Sequence, residues 1–344
     1  MNIVHCIWSF NTGGSETMLI DIANEQVKEH NVSVVVVNDS FQQSLLNQFS
    51  EKVNIILLKR RASSKSILPI IKLNWMLFKM NPDVVHLHNA SLPKIIRSIS
   101  HGLFLTVHAL HYPLDNVRHG MRLIAISDAV KSDVLSRKQV SIQTISNGIN
   151  ISSVKQRIPE PFNKQFRIVQ VARLDASKKG QDILIKAVAL LSSSGIRNID
   201  VDFIGEGPSK NELENLTETL NVRDQIHFLG LQDRKYIYSH LKDYDMMCHP
   251  SRYEGFGLTV AEGMAAKLPV LVSDDGGPFE LIGKGAYGMA FKMEDVEDCA
   301  SKIEYAYNNY NEILQFVQKA LDYVEQNYSI EAMVKKYITY YSQA

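Results

Sequence analysis

The chain has 344 residues, of which 45% are hydrophobic and 22% charged, the composition of a folded protein rather than a disordered one. At roughly 150 residues per domain, this length predicts two domains. Lys and Arg total 37, as do Asp and Glu, so no global charge points to nucleic acid. The cysteines, Cys6, Cys248 and Cys299, are too few and too scattered for a disulfide framework or a cysteine zinc site, which favours a reducing cytoplasm.

Short strands alternate with helices in the first half of the chain, which predicts a parallel sheet with right-handed crossovers. Residues 34–37 are continuously apolar, as in a strand that is covered on both faces. We predict strands at 3–7, 32–37, 54–58, 83–87, 103–107, 123–126 and 143–145, with helices at 16–29, 67–80 and 128–136.

The alternation restarts after a turn-rich linker at 146–153, which Pro159 and Pro161 follow. This predicts an N-terminal domain at 1–155 and a C-terminal domain at 156–325, and it leaves 326–344 as a C-terminal helix that could pack back on the first domain. In the second half we predict strands at 167–171, 200–204, 225–228, 245–248, 269–273 and 287–291, with helices at 180–191, 208–220, 258–266 and 294–341.

The pattern therefore predicts an α/β protein with two doubly wound, Rossmann-like domains. Ligands of open parallel sheets bind beyond the carboxyl ends of the strands, so we expect a site in a cleft that both domains face. Residues 1–155 carry 16 Lys and Arg against 10 Asp and Glu, and the remainder carries 21 against 27. Domains of opposite net charge fit different partners.

Glycines occupy the first strand-to-helix turn, at Gly13 and Gly14. Glycine lets a backbone approach a ligand, and a helix N-terminus offers free N–H groups to an anion. A plain turn explains the same residues equally well. The third glycine of the dinucleotide fingerprint GxGxxG is missing, which disfavours a nicotinamide dehydrogenase.

Two cations flank the first strand-to-helix loop of the second half, Arg173 and Lys179. Fixed cations at a strand end can hold a diphosphate and stabilise its charge as it leaves. A surface loop with solvated lysines is the alternative. Gly205 begins another strand-to-helix turn, which is either a phosphate contact or only a tight turn before Pro208.

The most specific segment carries Glu254 and Glu262, which seven residues separate. If a helix begins near Gly257, Glu254 lies in the loop before it and Glu262 lies two turns inside. Both carboxylates can then accept hydrogen bonds from sugar hydroxyls. The glycines also expose backbone N–H groups to phosphate oxygens, at Gly257, Leu258 and Thr259.

Four histidines of the first half, His86, His88, His108 and His111, raise the question of a metal site. His86 and His88 lie on one face of a predicted strand, but no carboxylate pattern completes a ligand set, so we expect no metal. We interpret His86 as a buried structural histidine. His108 ends a predicted strand, and there a functional interpretation is favoured.

These motifs, in this order and over almost the full length, resemble a retaining glycosyltransferase of the GT-B fold, family 4. The resemblance implies metal-independent transfer of a hexosyl unit, with retention, from a nucleotide-diphosphate sugar, with UDP as the expected nucleotide, to a hydroxyl acceptor. The expected acceptor is a lipid-linked saccharide in surface polysaccharide synthesis. A GT-B sugar-nucleotide epimerase and a non-catalytic nucleotide-sugar-binding protein remain alternatives.

The resemblance also implies roles for individual residues. Arg173 and Lys179 would hold the donor diphosphate, Glu262 the ribose, and Glu254 the hydroxyls of the transferred sugar. His108 would lie beside the reacting centre. The chain departs from the family pattern at three positions, which weakens any inference about the sugar. These are Ala172, where glycine is usual, Ala109 and Asn150. The implied catalytic set is His108, Arg173, Lys179 and Glu254; the donor set is Gly14, Arg173, Lys179, Gly205, Glu254, Phe256, Gly257, Leu258, Thr259 and Glu262; the acceptor-side set is Gly13, His88 and His108.

The basic excess of the first half lies in one stretch, 52–79, without a carboxylate. Each basic side chain near an anionic membrane contributes about 1 kcal/mol of binding free energy. A solvated basic face over an ordinary core helix is the alternative. We expect no secretory leader and no membrane span, so the predicted location is cytoplasmic, with peripheral contact on the inner face of the membrane. The predicted contact residues are Lys59, Arg60, Arg61, Lys65 and Lys72.

Overall fold

The computed structural model describes residues 1–61, 63–97, 99, 102–162 and 165–343. The chain divides into two compact units, Met1–Gly148 with Ile330–Ala344, and Ile149–Ser329. The changes of unit fall at 148/149 and 329/330 rather than at the predicted 155 and 325. The change at 148/149 follows from the contacts of Ile149. Its N–H donates to Tyr328 O at 2.8 Å and it forms a β-bridge with Ser329, so it belongs to the same unit as these residues.

A parallel sheet forms the centre of the first unit. Among the described residues its strands are β1 (Asn2–Ile7), β2 (Asn31–Asn38), β3 (Asn54–Arg60), β4 (Val84–Leu87), β5 (Leu103–Val107), β6 (Arg122–Ala125) and β7 (Ile142–Thr144). The spatial order is β3-β2-β1-β4-β5-β6-β7, so the strand order reverses between β1 and β4, as in doubly wound folds. The helices between the strands are α1 (Gly14–Gln26), α2 (Gln43–Leu46), α3 (Leu68–Met80) and α4 (Asp128–Arg137).

The second unit repeats this plan. Its described strands are β8 (Phe166–Val171), β9 (Ile199–Ile204), β10 (Ile226–Phe228), β11 (Met246–His249), β12 (Val270–Ser273) and β13 (Met289–Phe291), in the order β10-β9-β8-β11-β12-β13. Its helices are α5 (Ala176–Lys179), α6 (Gln181–Ser193), α7 (Lys210–Thr219), α8 (Arg234–His240), α9 (Leu258–Ala265), α10 (Gly276–Leu281), α11 (Val296–Asn308), α12 (Tyr310–Ile313) and α13 (Val317–Tyr328).

The predicted helical tail at 294–341 consists of several helices. The segment contains α11, α12 and α13, and then α14 (Ile330–Tyr341) follows an extended Ser329 with φ −70° and ψ 153°. Ser329 is held by its bridge to Ile149, so the helix cannot continue through it. α14 returns to the first unit and packs on α1, where Tyr337 and Tyr341 are buried.

The central strands β4, β5, β11 and β12 are buried along their whole length, because helices cover both faces of each sheet. Every pair of described strands is parallel. The loops that follow the strands of one sheet therefore share one edge. The predicted fold of two doubly wound parallel-sheet domains is confirmed, whereas the predicted cleft stays a prediction.

Candidate active site

Close backbone contacts join the loops at the carboxyl edge of the second sheet. A Cβ atom on Gly180 would lie 1.9 Å from Pro250 O, and one on Gly205 would lie 2.0 Å from Ala172 O. Both glycines have positive φ, of +66° and +147°, which side chains disfavour. Gly205 lets the loop after β9 pack on the loop after β8, which carries Arg173. Its contact with phosphate stays a prediction.

Lys179 and Glu254 form an ion pair at this edge. Lys179 Nζ donates to Glu254 Oε2, and His249 Nε2 lies 3.5 Å from the same oxygen. Burial raises the pKa of Glu254, but His249 and Lys179 together outweigh burial and hold the pKa at about 2. Glu254 is therefore a carboxylate at neutral pH. We predict that Lys179 binds a diphosphate, and in the structure its ammonium already pairs with Glu254.

Arg173 lies in the loop after β8, and its side chain is exposed. Its carbonyl oxygen accepts a hydrogen bond from Gln181 Nε2 at 3.0 Å, which ties the loop to the start of α6. In the part of the chain that the structure describes, its guanidinium has no hydrogen bond or ion pair. Arg173 is thus an available cation at a fixed backbone position.

The helix α9 begins as predicted. Gly257 caps it in the left-handed region, at φ 92° and ψ 56°, and no acidic residue lies in the first turn. Gly277 of α10 packs against the preceding loop so closely that a Cβ there would lie 2.4 Å from Gly255 O. Leu258 and Thr259 are half-buried, and Glu262 is buried on this helix. The Phe256 side chain is also buried, where its ring contacts Tyr328 at 5.5 Å, so only its backbone is available to a ligand.

Arg252 was not assigned a role from the sequence, although it lies within the Glu254 segment. It binds both carboxylate oxygens of Asp182, at 2.8 and 3.1 Å, and Ala176 O at 2.7 Å. The N–H of Arg252 also donates to Lys178 O at 2.8 Å. These bonds attach the loop that carries Glu254 to α5 and α6. Arg252 is therefore a positioning residue, and the signal for it was an arginine inside the most specific motif.

Histidines line the carboxyl edge of the first sheet. His88 and His108 follow β4 and β5, with ring centroids 5.8 Å apart. Burial lowers the pKa of His108 to about 4, and burial together with His86 and His5 lowers that of His88 well below its usual range. Both rings are neutral at pH 7. His88 Nδ1 and His108 Nε2 are buried without a hydrogen-bond partner among the residues described.

A hydrogen-bonded chain fixes the orientation of His88. His5 Nε2 is 2.8 Å from Gln26 Oε1, and His5 Nδ1 is 3.1 Å from His88 Nε2. If His5 donates to the amide oxygen, its Nδ1 accepts from His88 Nε2–H. His88 Nδ1 then presents a lone pair.

His5, His86 and His88 bring nitrogen atoms within 4.8 Å of one another, which raises a metal site again. His86 Nε2 is 2.6 Å from Thr106 Oγ1, and its Nδ1 accepts from the Tyr341 hydroxyl at 2.6 Å. A metal would have to displace these bonds, so the cluster fits a hydrogen-bonded core. His86 is buried as predicted, and both of its ring nitrogens have hydrogen-bond partners, whereas its structural role stays a prediction. His111 is exposed, with its Nδ1 3.3 Å from Asp133 Oδ1.

The first glycine turn differs from a bare anion site. α1 begins at Gly14, and Gly13 is extended, at φ −174°. Glu16 lies in the first turn and accepts from the Ser15 hydroxyl at 2.6 Å. A Cβ atom on Gly13 would lie 2.6 Å from Glu16 Oε2, so this carboxylate is close to the Gly13 backbone. The N-terminus of α1 therefore already faces a negative charge.

Two family models match the chain consecutively. The model for Glycosyltransferase Family 4 matches residues 12–153, and the model for Glycosyl transferases group 1 matches residues 153–323. The chain belongs to glycosyltransferase family 4. The predicted membership of family 4 is confirmed, whereas the predicted retention stays a prediction.

Known proteins similar to this family 4 chain agree with that assignment. The poly(ribitol-phosphate) alpha-N-acetylglucosaminyltransferase of Staphylococcus aureus (strain COL) is 25% identical over 233 residues, 67% of this chain and 46% of that enzyme. The chain thus spans about half the length of this curated relative. A glycosyltransferase from Rickettsia africae ESF-5 superposes with a TM-score of 0.83 at 21% identity, covering 99% of this chain and 98% of that one. HepE from Anabaena, solved with UDP and glucose, superposes at 0.81 and 19% over both whole chains. These likenesses confirm the GT-B fold.

The basic stretch of this family 4 chain includes α3, and the structure shows which side of α3 is covered. Only Leu73 and Leu77 of this helix are buried. Lys59, Arg61, Lys65 and Lys72 are exposed. Arg60 is not a free surface cation, because it donates to Ser64 O at 2.6 Å. No helix within the described ranges combines the length and the apolar content needed to cross a membrane. The large apolar side chains exposed here are Ile67, Leu68, Ile71, Trp75 and Phe78.

Proposed function

We propose that this protein transfers a hexosyl unit from a nucleotide-diphosphate sugar to a hydroxyl acceptor, with retention and without a metal ion. The observation that carries the proposal is the carboxyl edge of the second sheet. There Glu254 is held ionised by Lys179 and His249, beside the uncharged first turn of α9 and the available Arg173. Such an edge offers acceptors to sugar hydroxyls and donors to phosphate.

On the donor side, the N–H groups of residues 257–259 and the guanidinium of Arg173 would bind the diphosphate. Lys179 would bridge Glu254 and a phosphate oxygen, so its charge serves both. Glu254 would accept hydrogen bonds from the sugar, and Glu262 from the ribose. We propose UDP as the nucleotide, because the similar HepE was solved with UDP-glucose.

In the chemical step, the bond between the anomeric carbon and the diphosphate oxygen breaks, and the acceptor oxygen bonds to the same face of that carbon. The acceptor proton passes to the leaving diphosphate, whose charge Arg173 and Lys179 stabilise. His88 and His108 are neutral, so they would orient hydroxyl groups by hydrogen bonds and would not act as cations. The lone pair on His88 Nδ1 suits an acceptor hydroxyl.

We further propose that the first unit contacts anionic membrane through α3. Apolar side chains at the surface, flanked by Lys65 and Lys72, match a lipid interface in both polarity and charge. A membrane acceptor would be a lipid-linked saccharide in surface polysaccharide synthesis. The name of the similar Staphylococcus aureus enzyme records a phosphate-containing polymer as its acceptor.

The test is donor hydrolysis by the purified chain. UDP release is followed by coupled assay over a panel of UDP-sugars, with and without excess EDTA, and Arg173→Ala is compared with Lys186→Gln, an exposed lysine on α6. We expect slow release with at least one sugar, unaffected by EDTA and reduced at least tenfold only in Arg173→Ala. Epimerised UDP-sugar without net release would indicate the epimerase, and binding without either would indicate a binding protein. Loss in EDTA with rescue by magnesium would overturn metal independence.

A further inference from the structure

One ring nitrogen in the buried histidine cluster of the first unit lacks a partner. Both ring nitrogens of His5 and of His86 have hydrogen-bond partners, and so has His88 Nε2. His88 Nδ1 is buried and has none within the ranges that the structure describes. A buried polar atom without a partner costs free energy, so we expect this atom to bind a group that comes from a ligand.

The protonation site of His5 determines that of His88. Burial lowers the pKa of both residues, that of His5 to about 4. Each ring is therefore neutral at pH 7, so it donates at one nitrogen and accepts at the other. His5 Nδ1 and His88 Nε2 are 3.1 Å apart, and one of these two atoms must carry the proton of that hydrogen bond.

Gln26 determines where His5 carries its proton. This last residue of α1 is 1% exposed, and its Oε1 lies 2.8 Å from His5 Nε2. An amide oxygen can only accept, so His5 carries its proton on Nε2 and accepts at Nδ1. His88 then carries its proton on Nε2, which leaves a lone pair on Nδ1. The opposite orientation of the amide group would reverse both hydrogen bonds and make His88 Nδ1 a donor.

His86 lies beside this relay of Gln26, His5 and His88 without taking part in it. Its ring centroid is 4.4 Å from that of His88. Its Nε2 is 2.6 Å from Thr106 Oγ1, and its Nδ1 is 2.6 Å from the Tyr341 hydroxyl. Both nitrogens are therefore bonded outside the relay. Thr106 thus supplies a buried hydrogen bond of the same cluster whose loss would leave the relay intact.

We propose that Gln26 and His5 are positioning residues that keep a lone pair on His88 Nδ1, so that this atom binds a hydroxyl group of the acceptor substrate. The inference rests on the proposed function, because it places that substrate at the carboxyl edge of the first sheet. An oxygen without a proton would face the lone pair without forming a hydrogen bond, which leaves a buried group unsatisfied. The relay therefore selects a substrate that presents a hydroxyl at this position over one that presents a carbonyl or an ionised oxygen.

Nitrogen-15 NMR of protein labelled at histidine tests the relay and requires no activity. Two-bond proton–nitrogen correlations distinguish a protonated ring nitrogen from an unprotonated one, and His88→Gln identifies the signals of His88. We expect the proton on Nε2 in the wild type. Gln26→Met keeps the length of the side chain but removes the amide, so a mixture of both tautomers should appear at His88. The matched control is Thr106→Val, which should leave the tautomer of His88 unchanged.

The wild-type spectrum alone can refute the relay, and His5→Phe replaces Gln26→Met if that variant does not fold. A proton on His88 Nδ1 in the wild type would overturn the relay, as would one unchanged tautomer in all folded variants. Glycerol is the hydroxyl probe and sulfate the probe without a proton. We expect glycerol to shift the Nδ1 signal and sulfate to leave it in place; a signal that glycerol does not move would overturn the hydroxyl assignment. Absence of UDP release from every UDP-sugar would instead overturn the proposed function, and it would leave the tautomer of His88 as measured.

Discussion

The ion pair between Lys179 and Glu254 controls the ionisation of the carboxylate that we assign to the sugar. Replacing Lys179 by Met removes the ammonium but keeps much of the apolar stem. Burial, which raises the pKa of Glu254, then remains, and only His249, 3.5 Å from Oε2, opposes it. We therefore expect the pKa of Glu254 to rise from about 2 toward its ordinary value of 4.5.

The effect on stability follows from the same pKa. One pH unit of pKa difference corresponds to about 1.4 kcal/mol, so a fall from 4.5 to about 2 stabilises the folded state by about 3 kcal/mol. Because the folded-state pKa is the lower one, this stabilisation is complete above pH 4.5 and is lost as the pH falls toward about 2. Lys179 and His249 share it, so we assign about 1.5 kcal/mol to Lys179, the lower limit for a hydrogen bond to a charged group.

A double-mutant cycle measures this energy. Urea unfolding of wild type, Lys179→Met, Glu254→Gln and the double variant should give a coupling energy of about 1.5 kcal/mol at pH 7, and a smaller one near pH 3.5. The control is Lys178→Met, whose ammonium is exposed and 3.7 Å from Asp175, with no coupling to Glu254 expected. A coupling below about 0.3 kcal/mol at pH 7, or one that grows on acidification, would refute the reasoning.

Three further changes test other parts of the structure. Gly180→Ala places a Cβ 1.9 Å from Pro250 O, so we expect it to lower the free energy of unfolding, measured in urea, by about 3 kcal/mol. The control is Gly195→Ala, whose Cβ would have no atom within 4 Å; we expect it to lower that free energy by only about 1 kcal/mol. Arg252→Gln should reduce donor hydrolysis at least tenfold, while Lys186→Gln, which removes an exposed partner of the same Asp182, should not; equal rates would show that Arg252 does not position the Glu254 loop. Trp75→Ser with Phe78→Ser should abolish flotation with anionic liposomes at low salt, and Tyr305→Ser, an exposed aromatic of the second unit, should leave it intact; similar recovery of all variants would make α3 an ordinary surface.

The strands could be predicted because each is a short apolar run between turn residues, and each predicted strand overlaps an observed one. The short helix α5 could not, because four residues carry no helical period. That omission matters at the site, since α5 ends at Lys179. The sequence placed Lys179 and Glu254 at the same sheet edge, because both follow strands, but it could not show that they pair. That pairing depends on how the loops after β8 and β11 pack, which Gly180 and Arg252 determine.

The helix α3 shows why the same sequence left two interpretations of the basic stretch open. Its apolar residues occupy more than one face, so periodicity could not say which face is buried. The structure uses Leu73 and Leu77, one turn apart, to attach α3 beside β3. The remaining large side chains are not needed for this packing: Trp75 is 58% exposed and Phe78 73%. Burying one such side chain fully stabilises by about 1.5–3 kcal/mol. Because α3 leaves several of them exposed to water, their transfer into the apolar part of a membrane would be favourable. Asn74, on the same helix, accepts from Arg97 N and donates to Ile95 O, so α3 is attached to the loop after β4 as well as to β3.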